Sequence, residues 1–153
     1  MKRGHDTVRT GFTLIEIILT VVLLAILVSI AIPRVGWETM GKVQAETAAQ
    51  QFSDYLKLAR SLAITHASSN SSGYKIVLSG PFTSYSVISI GTPDVVVKGP
   101  IDIPEGVTCS GASEFHFTPL GQLQDGGTLT LQFTRSGDTT VVTVTAVGRI
   151  TVG

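Results

Sequence analysis

The sequence has little cysteine, little charge and no excess of either sign. Cys109 is the only cysteine, so no intramolecular disulfide can close. A domain without a disulfide must rest on its packed core. The expected state of Cys109 is a buried thiol packing as a small apolar residue, since no neighbouring constellation marks a nucleophile or redox centre. Charged residues make up 14% of the 153 residues and the formal net charge is zero. A nucleic-acid binder would show a basic patch, and none is visible. Phosphate loops, zinc motifs and nucleophile elbows are also missing. The chain therefore reads as a non-enzyme with no cofactor and no metal.

The most informative deficit is local. Between Phe12 and Ile32 a single residue, Glu16, is charged. That run of about 21 residues would measure roughly 32 Å as a helix, enough to span a bilayer core. Ahead of it stand Lys2, Arg3 and Arg9 against Asp6. By the positive-inside rule this end stays in the cytoplasm and the bulk of the chain crosses. Without residues 1–11 the chain keeps eight basic and ten acidic residues, a net charge of −2.

A carboxylate in an apolar run is costly and usually faces a partner. The run offers no Lys or Arg. A cut after Gly11 would place a new α-amino group, with a pKa of about 8, on Phe12. Glu16 lies four residues on, the spacing that puts two helical residues on one face. The cut would set a cation beside a lone anion, within one chain or between neighbours. Two plainer readings compete. An ordinary secretory signal could be cut after Ser29-Ile30-Ala31, but its apolar core is usually about 7–15 residues. A single-pass anchor with an incidental Glu is the other. Neither explains why Gly-Phe opens the run and the acid follows four residues later.

The string Gly11-Phe12-Thr13-Leu14-Ile15-Glu16, with a basic leader before it and an apolar run after it, resembles the class III leader of type IV pilins and pseudopilins. The resemblance implies that prepilin peptidase cuts between Gly11 and Phe12 and methylates Phe12. It implies that Glu16 guides subunit docking. Partners would be other pilin-like subunits met through the N-terminal helix, an inner-membrane assembly platform and membrane lipid.

Downstream, Pro33 closes the apolar run and is the expected helix kink. Gly36 and Gly41 weaken the next turns. From Met40 the pattern turns amphipathic: Met40, Val43, Ala48, Phe52, Leu56, Ala59 and Ala63, with Leu62 beside them, oppose Lys42, Glu46, Gln50, Asp54 and Lys57. The spacing predicts a helix from Phe12 to about Thr65 with a weak spot over residues 33–41. His66 is expected as a helix-terminal residue, and the Ser-rich run 68–73 as a loop.

Beyond Gly73 the period becomes two, with many β-branched residues. Strands are predicted at 74–78, 85–90, 95–98, 106–109, 114–118, 128–134, 139–146 and 149–152. Asp125-Gly126-Gly127 and Ser136-Gly137-Asp138 are hairpin signals, and residues 128–146 should form the clearest hairpin. Antiparallel sheets with one wet face are expected. Phe115 and Phe117 should share the inner face, with Glu114 and His116 on the other. Those two are too few for a metal site. The acids needed to make Asp125-Gly126-Gly127 a calcium loop are missing. Arg60 is expected to bind a carboxylate or helix-end carbonyls, and Gly121 and Gly148 to serve turns.

Three segments carry a further resemblance. Leu56, Ala59-Arg60 and Ala63-Ile64 look like the Ala-Arg…Ala pattern of the GspH/FimT branch of pseudopilins. Phe115-His116-Phe117-Thr118-Pro119-Leu120-Gly121 is similar to that branch's Phe-x-Pro-x-Gly segment, and Gly148-Arg149-Ile150 to its closing strand. The resemblance implies an α+β pilin-like fold, with a long N-terminal helix packed on antiparallel sheets. The implied plan is a leader at 1–11, a membrane half of the helix at 12–32, an amphipathic half at 33–66 and a periplasmic β-rich domain at 67–153. The implied function is a minor pseudopilin of a type II secretion system, anchored in the bacterial inner membrane before assembly into the pseudopilus. A minor pilin of a type IV pilus, serving adhesion or DNA uptake, is the nearest alternative. A membrane-anchored binding module without a filament role is the third. Major type IVa pilins usually carry two C-terminal cysteines, and this chain has one.

Overall fold

The computed structural model describes residues 12–31 and 37–153. The chain divides into two compact units, Met1–Trp37 and Glu38–Gly153. In the first, helix α1 covers Leu14–Ala31. It is apolar all round, and its large side chains are exposed, from Leu14 at 77% to Val22 at 49%. Among the described residues no helix is long and apolar enough to cross a membrane. The 18 residues of α1 reach about 27 Å as a helix, beside a hydrocarbon core of about 30 Å. Gly11, Pro33 and the leader lie outside the described residues, and with them the cleavage and kink expectations.

The second unit is built on helix α2, Trp37–Thr65. Its buried stripe runs Gly41, Ala45, Ala48, Ala49, Phe52, Leu56, Ala59 and Ala63. This corrects the expected face at one end. Val43 is 54% exposed, because the five-residue step from Val43 to Ala48 breaks the 3.6 period that Gly41 and Ala45 keep. Gly41 is no weak point either. It sits inside α2 against the turn before β7, where an added Cβ would meet the Ser136 side chain at 3.0 Å.

Eight strands follow, within a few residues of the predicted ones: β1 Tyr74–Ser79, β2 Ser84–Ser89, β3 Val95–Asp102, β4 Thr108–Gly111, β5 Glu114–Phe117, β6 Leu129–Arg135, β7 Asp138–Val144 and β8 Ile150–Val152. They form two four-stranded antiparallel sheets, in the orders β3-β2-β1-β5 and β4-β6-β7-β8. The chain alternates between them, since β4 leaves the first sheet, β5 returns and β6 leaves again.

The expected hairpin over residues 128–146 is β6–β7. Arg135 pairs with Asp138, leaving a two-residue turn of Ser136 and Gly137, both at positive φ, as a type I′ turn requires. Asp125-Gly126-Gly127 is a turn but closes no hairpin. It lies between β5 and β6, which belong to different sheets.

Both sheets bury one face against α2. Ile76, Val87, Phe115 and Phe117 come from the first sheet, and Leu131, Phe133, Val142 and Val144 from the second. Phe52 ties them together. Its ring centre lies 5.1 Å from Tyr85 and 5.6 Å from both Phe115 and Phe133, so one helix side chain touches both sheets. Strand β3 departs from the one-wet-face rule: Val95, Val96 and Val97 are all exposed. It is an edge strand that α2 does not cover, blunted by Lys98 and Pro100.

Candidate functional site

Two places collect the residues singled out from the sequence, one in each unit. In the first, α1 begins directly after Thr13. The Glu16 amide donates to the Thr13 carbonyl at 3.0 Å and to Thr13 Oγ1 at 3.3 Å. Thr13 is thus the N-cap and Glu16 the third helical residue, which makes Thr13-x-x-Glu16 one arm of a capping box. The helix N-terminus also favours a carboxylate there. Sequence reasoning missed this role, although the Thr-x-x-Glu spacing signals it. Phe12 precedes the cap and is 80% exposed. In the uncut chain it is not helical, so the four-residue spacing does not place it on the face of Glu16.

In the second unit, Arg60 near the end of α2 reaches into the connection after β5. Its Nε donates to the Gly121 carbonyl at 2.9 Å. The expected carboxylate or helix-end acceptor is replaced by a loop carbonyl from 61 residues away. The loop is shaped to offer it. Gly121 donates back to the Thr118 carbonyl at 2.7 Å, and Thr118 donates to Gln122 at 2.8 Å. Gly121 has φ +74, and an added Cβ would meet Ile64 Cδ1 at 2.7 Å. Gly148, in the turn between β7 and β8, has φ +76. A Cβ there would fall on the Gly121 carbonyl oxygen and lie 2.8 Å from Arg60 Nε. The three motif segments, distant in sequence, therefore meet at one point. The two glycines are needed for close approach as well as for turning.

The remaining candidates are structural. His66 follows the last residue of α2, and its Nδ1 lies 3.1 Å from the Leu62 carbonyl. His116 Nε2 lies 2.9 Å from the Ser72 carbonyl. Glu114 faces Lys75, whose Nζ is 3.6 Å from Glu114 and 3.1 Å from Asp94. The hydrogen bond that Lys75 donates to Asp94, with the two acids' charges, raises the Lys75 pKa, while the Gly91 amide and Lys75 lower that of Asp94. Among the described residues no three metal-ligating side chains converge. Cys109 is half-buried on β4 and burial pushes its thiol up to about 11, the wrong direction for a nucleophile. Burial also raises the Tyr85 phenol, and its hydroxyl has no hydrogen-bond partner among the described residues.

The fold has known counterparts. The type IV minor pilin FimU of Pseudomonas aeruginosa is similar with a TM-score of 0.59 at 18% identity, over 70% of this chain and 86% of that one. A second crystal form of FimU gives 0.55 at 19%, over 70% and 90%. The minor pseudopilin EpsH from the Type 2 Secretion System of Vibrio cholerae gives 0.57 at 14%, over 72% and 96%. No family model and no curated protein matches the sequence. The chain thus has the α+β pilin-like fold, a helix packed on antiparallel sheets, shared by pilins and pseudopilins.

Proposed function

We propose that the chain is a non-enzymatic filament subunit: a minor pseudopilin of a type II secretion system that helps start the pseudopilus and supports protein export. The observation that carries the reading is α1. Its large side chains are exposed on every face, an arrangement that water does not tolerate and that lipid or neighbouring helices would cover. It stands ahead of a unit with the fold of a minor pilin and a minor pseudopilin. In this reading prepilin peptidase cuts between Gly11 and Phe12 and methylates Phe12. Residues 12–32 lie in the bacterial inner membrane with the N-terminus in the cytoplasm, and Pro33 marks a kink. The domain from residue 67 onwards is periplasmic, and Glu16 docks against the new terminus of a neighbouring subunit. The likeness to FimU supports a second reading, a minor pilin of a type IV pilus, with the same processing.

The test is the intact mass of the protein extracted from membranes. Loss of residues 1–11 plus one methyl group is expected, and Gly11→Val should stay uncut. A mature terminus at Ile32 would overturn the reading in favour of a secretory signal. Deleting the chain should abolish export of secreted proteins. Lost surface pili with normal export would select the second reading.

A further inference from the structure

We propose that the outer face of the second sheet is a binding surface for a neutral polysaccharide. The inference goes beyond the filament reading, which gives this face no role.

The face follows from strand register. In β4, β6 and β7 the side chains of Cys109, Leu131, Phe133, Val142 and Val144 pack on the core, so their neighbours along each strand turn away from it. Pairing sets those neighbours in three rows across the sheet. Thr108, Thr134 and Thr139 form the first, and Ser110, Gln132 and Val141 the second. Thr130, Thr143 and Thr151 form the third. All but Val141 end in a hydroxyl or an amide, and none of the nine is charged or buried. Neighbours within a row stand roughly 4.8 Å apart, and successive rows roughly 7 Å.

Exposure to water does not account for the missing charge. The outer face of the first sheet also meets solvent, and it carries Lys75, Glu114 and His116. There Lys75 pairs with Asp94 at 3.1 Å and with Glu114 at 3.6 Å. The charges nearest in sequence to the second face, Arg135, Asp138 and Arg149, lie outside its rows. Strand propensity explains the threonines but not Ser110 or Gln132.

The chemistry of the face selects its occupant. A charged partner would give up water around its charges and meet no counter-charge. An apolar partner would bury hydroxyls without replacing their hydrogen bonds. A second copy set face to face would cross its rows at about 30°, because both sheets twist, and would leave most hydroxyls out of line. A neutral polysaccharide is uncharged, carries hydroxyls along its length and exchanges hydrogen bonds group for group. The first row is partly tied down: Thr108 Oγ1 donates to the Thr134 carbonyl at 3.2 Å, and the Thr134 and Thr139 hydroxyls are 3.0 Å apart. Among the described residues the polar side chains of the other two rows have no partner within the protein. Ser110, Gln132, Thr130, Thr143 and Thr151 therefore supply the contacts.

The test passes the full chain over beads of amorphous cellulose, chitin and dextran. It is extracted from membranes in a polyoxyethylene detergent, which carries no sugar. Retention on at least one bead is expected, and about 0.5 M salt should not release the protein because no charge takes part. Thr130→Val with Thr143→Val keeps shape and strand propensity and removes two hydroxyls, so binding should weaken about tenfold. Gln132→Ala should weaken it several-fold. Ser86→Ala, on the outer face of the first sheet, should bind as wild type does. Circular dichroism melts check that each variant folds. The proposal is overturned if no bead retains the wild type, if the double Val variant is retained equally well, or if salt releases the protein. A dimer in detergent that the double Val variant abolishes would assign the face to a second copy and overturn it too. None of these outcomes touches the processing of residues 1–11, so the filament reading stands or falls separately.

Discussion

Replacing Gly148 with Ala tests whether the meeting of three segments holds the second unit together. Two terms act at this position. A Cβ at φ +76 strains the backbone by about 1–2 kcal/mol. It would also land on the Gly121 carbonyl and within 2.8 Å of Arg60 Nε. That neighbour is backbone and cannot swing aside, so the two turns must part. Parting them breaks the charged hydrogen bond of Arg60, about 1.5–3 kcal/mol. Together the loss is about 3–5 kcal/mol, a large share of the roughly 5–15 kcal/mol that keeps a domain folded. Gly126→Ala is the matched control. It has φ +65 but nothing within 4 Å, so only the strain of about 1–2 kcal/mol remains. Gly127→Ala, with open space and no positive φ, should be neutral or gain up to about 1 kcal/mol. Thermal unfolding of the full chain in detergent micelles, followed by circular dichroism, reads all three. At roughly 4 °C per kcal/mol, Gly148→Ala should lose about 12–20 °C and Gly126→Ala about 4–8 °C. A Gly148→Ala midpoint equal to that of Gly126→Ala would show that the approach of the two turns contributes nothing.

Three further outcomes are expected. Glu16→Gln keeps a residue type suited to the capping box but removes the charge. It should hold α1 as wild type does yet co-purify poorly with partner pilin-like subunits. Wild-type recruitment of Glu16→Gln would reduce Glu16 to its capping role. Cys109 should react with iodoacetamide at pH 8 roughly a hundredfold more slowly than a free thiol, because its raised pKa of about 11 leaves little thiolate. The same shift means its contribution to stability is complete below about pH 8.5 and is lost as pH rises toward 11. Loss on falling pH would contradict the sign. Tyr85→Phe removes a buried hydroxyl without a partner, so urea unfolding should show the variant unchanged or up to about 1–2 kcal/mol more stable. A clear loss would reveal a partner for that hydroxyl.

Strands β1, β2, β5, β6 and β7 were legible because each buries one face. Phe115 and Phe117 point inward while Glu114 and His116 do not, and a two-residue period records that directly. Which strands pair was not legible. Periodicity carries no information on partners, and the chain switches sheets at β4, β5 and β6, so Asp125-Gly126-Gly127 looked like a hairpin when it joins two sheets. The two-residue turn at Ser136-Gly137 was readable because its positive-φ requirement is local. Val43 is apolar but out of phase with the buried stripe, so it faces solvent. Its small neighbours Gly41 and Ala45 are buried, and a Cβ at Gly41 would already touch Ser136. Smallness marked that contact better than hydrophobicity did.

Arg60 shows the same limit at the most informative point. The sequence marks a cation in the amphipathic helix but cannot say that its acceptor is the carbonyl of Gly121, since 61 residues intervene. A side-chain acceptor would have left an acid to find, whereas a backbone acceptor leaves only the residue that lets the backbone come close. Here those residues are Gly121 and Gly148, where any side chain would collide with the other turn or with α2. Each motif is weak when read alone because each states a third of one contact. The helix supplies the donor, the first sheet's exit loop the acceptor, and the last hairpin the space. Phe52 joins the two sheets by burial in the core, and Arg60 joins them again at the rim by a directional bond. The rim contact fixes what nonpolar packing leaves free to slide, the register of the last turn of α2 against both sheets.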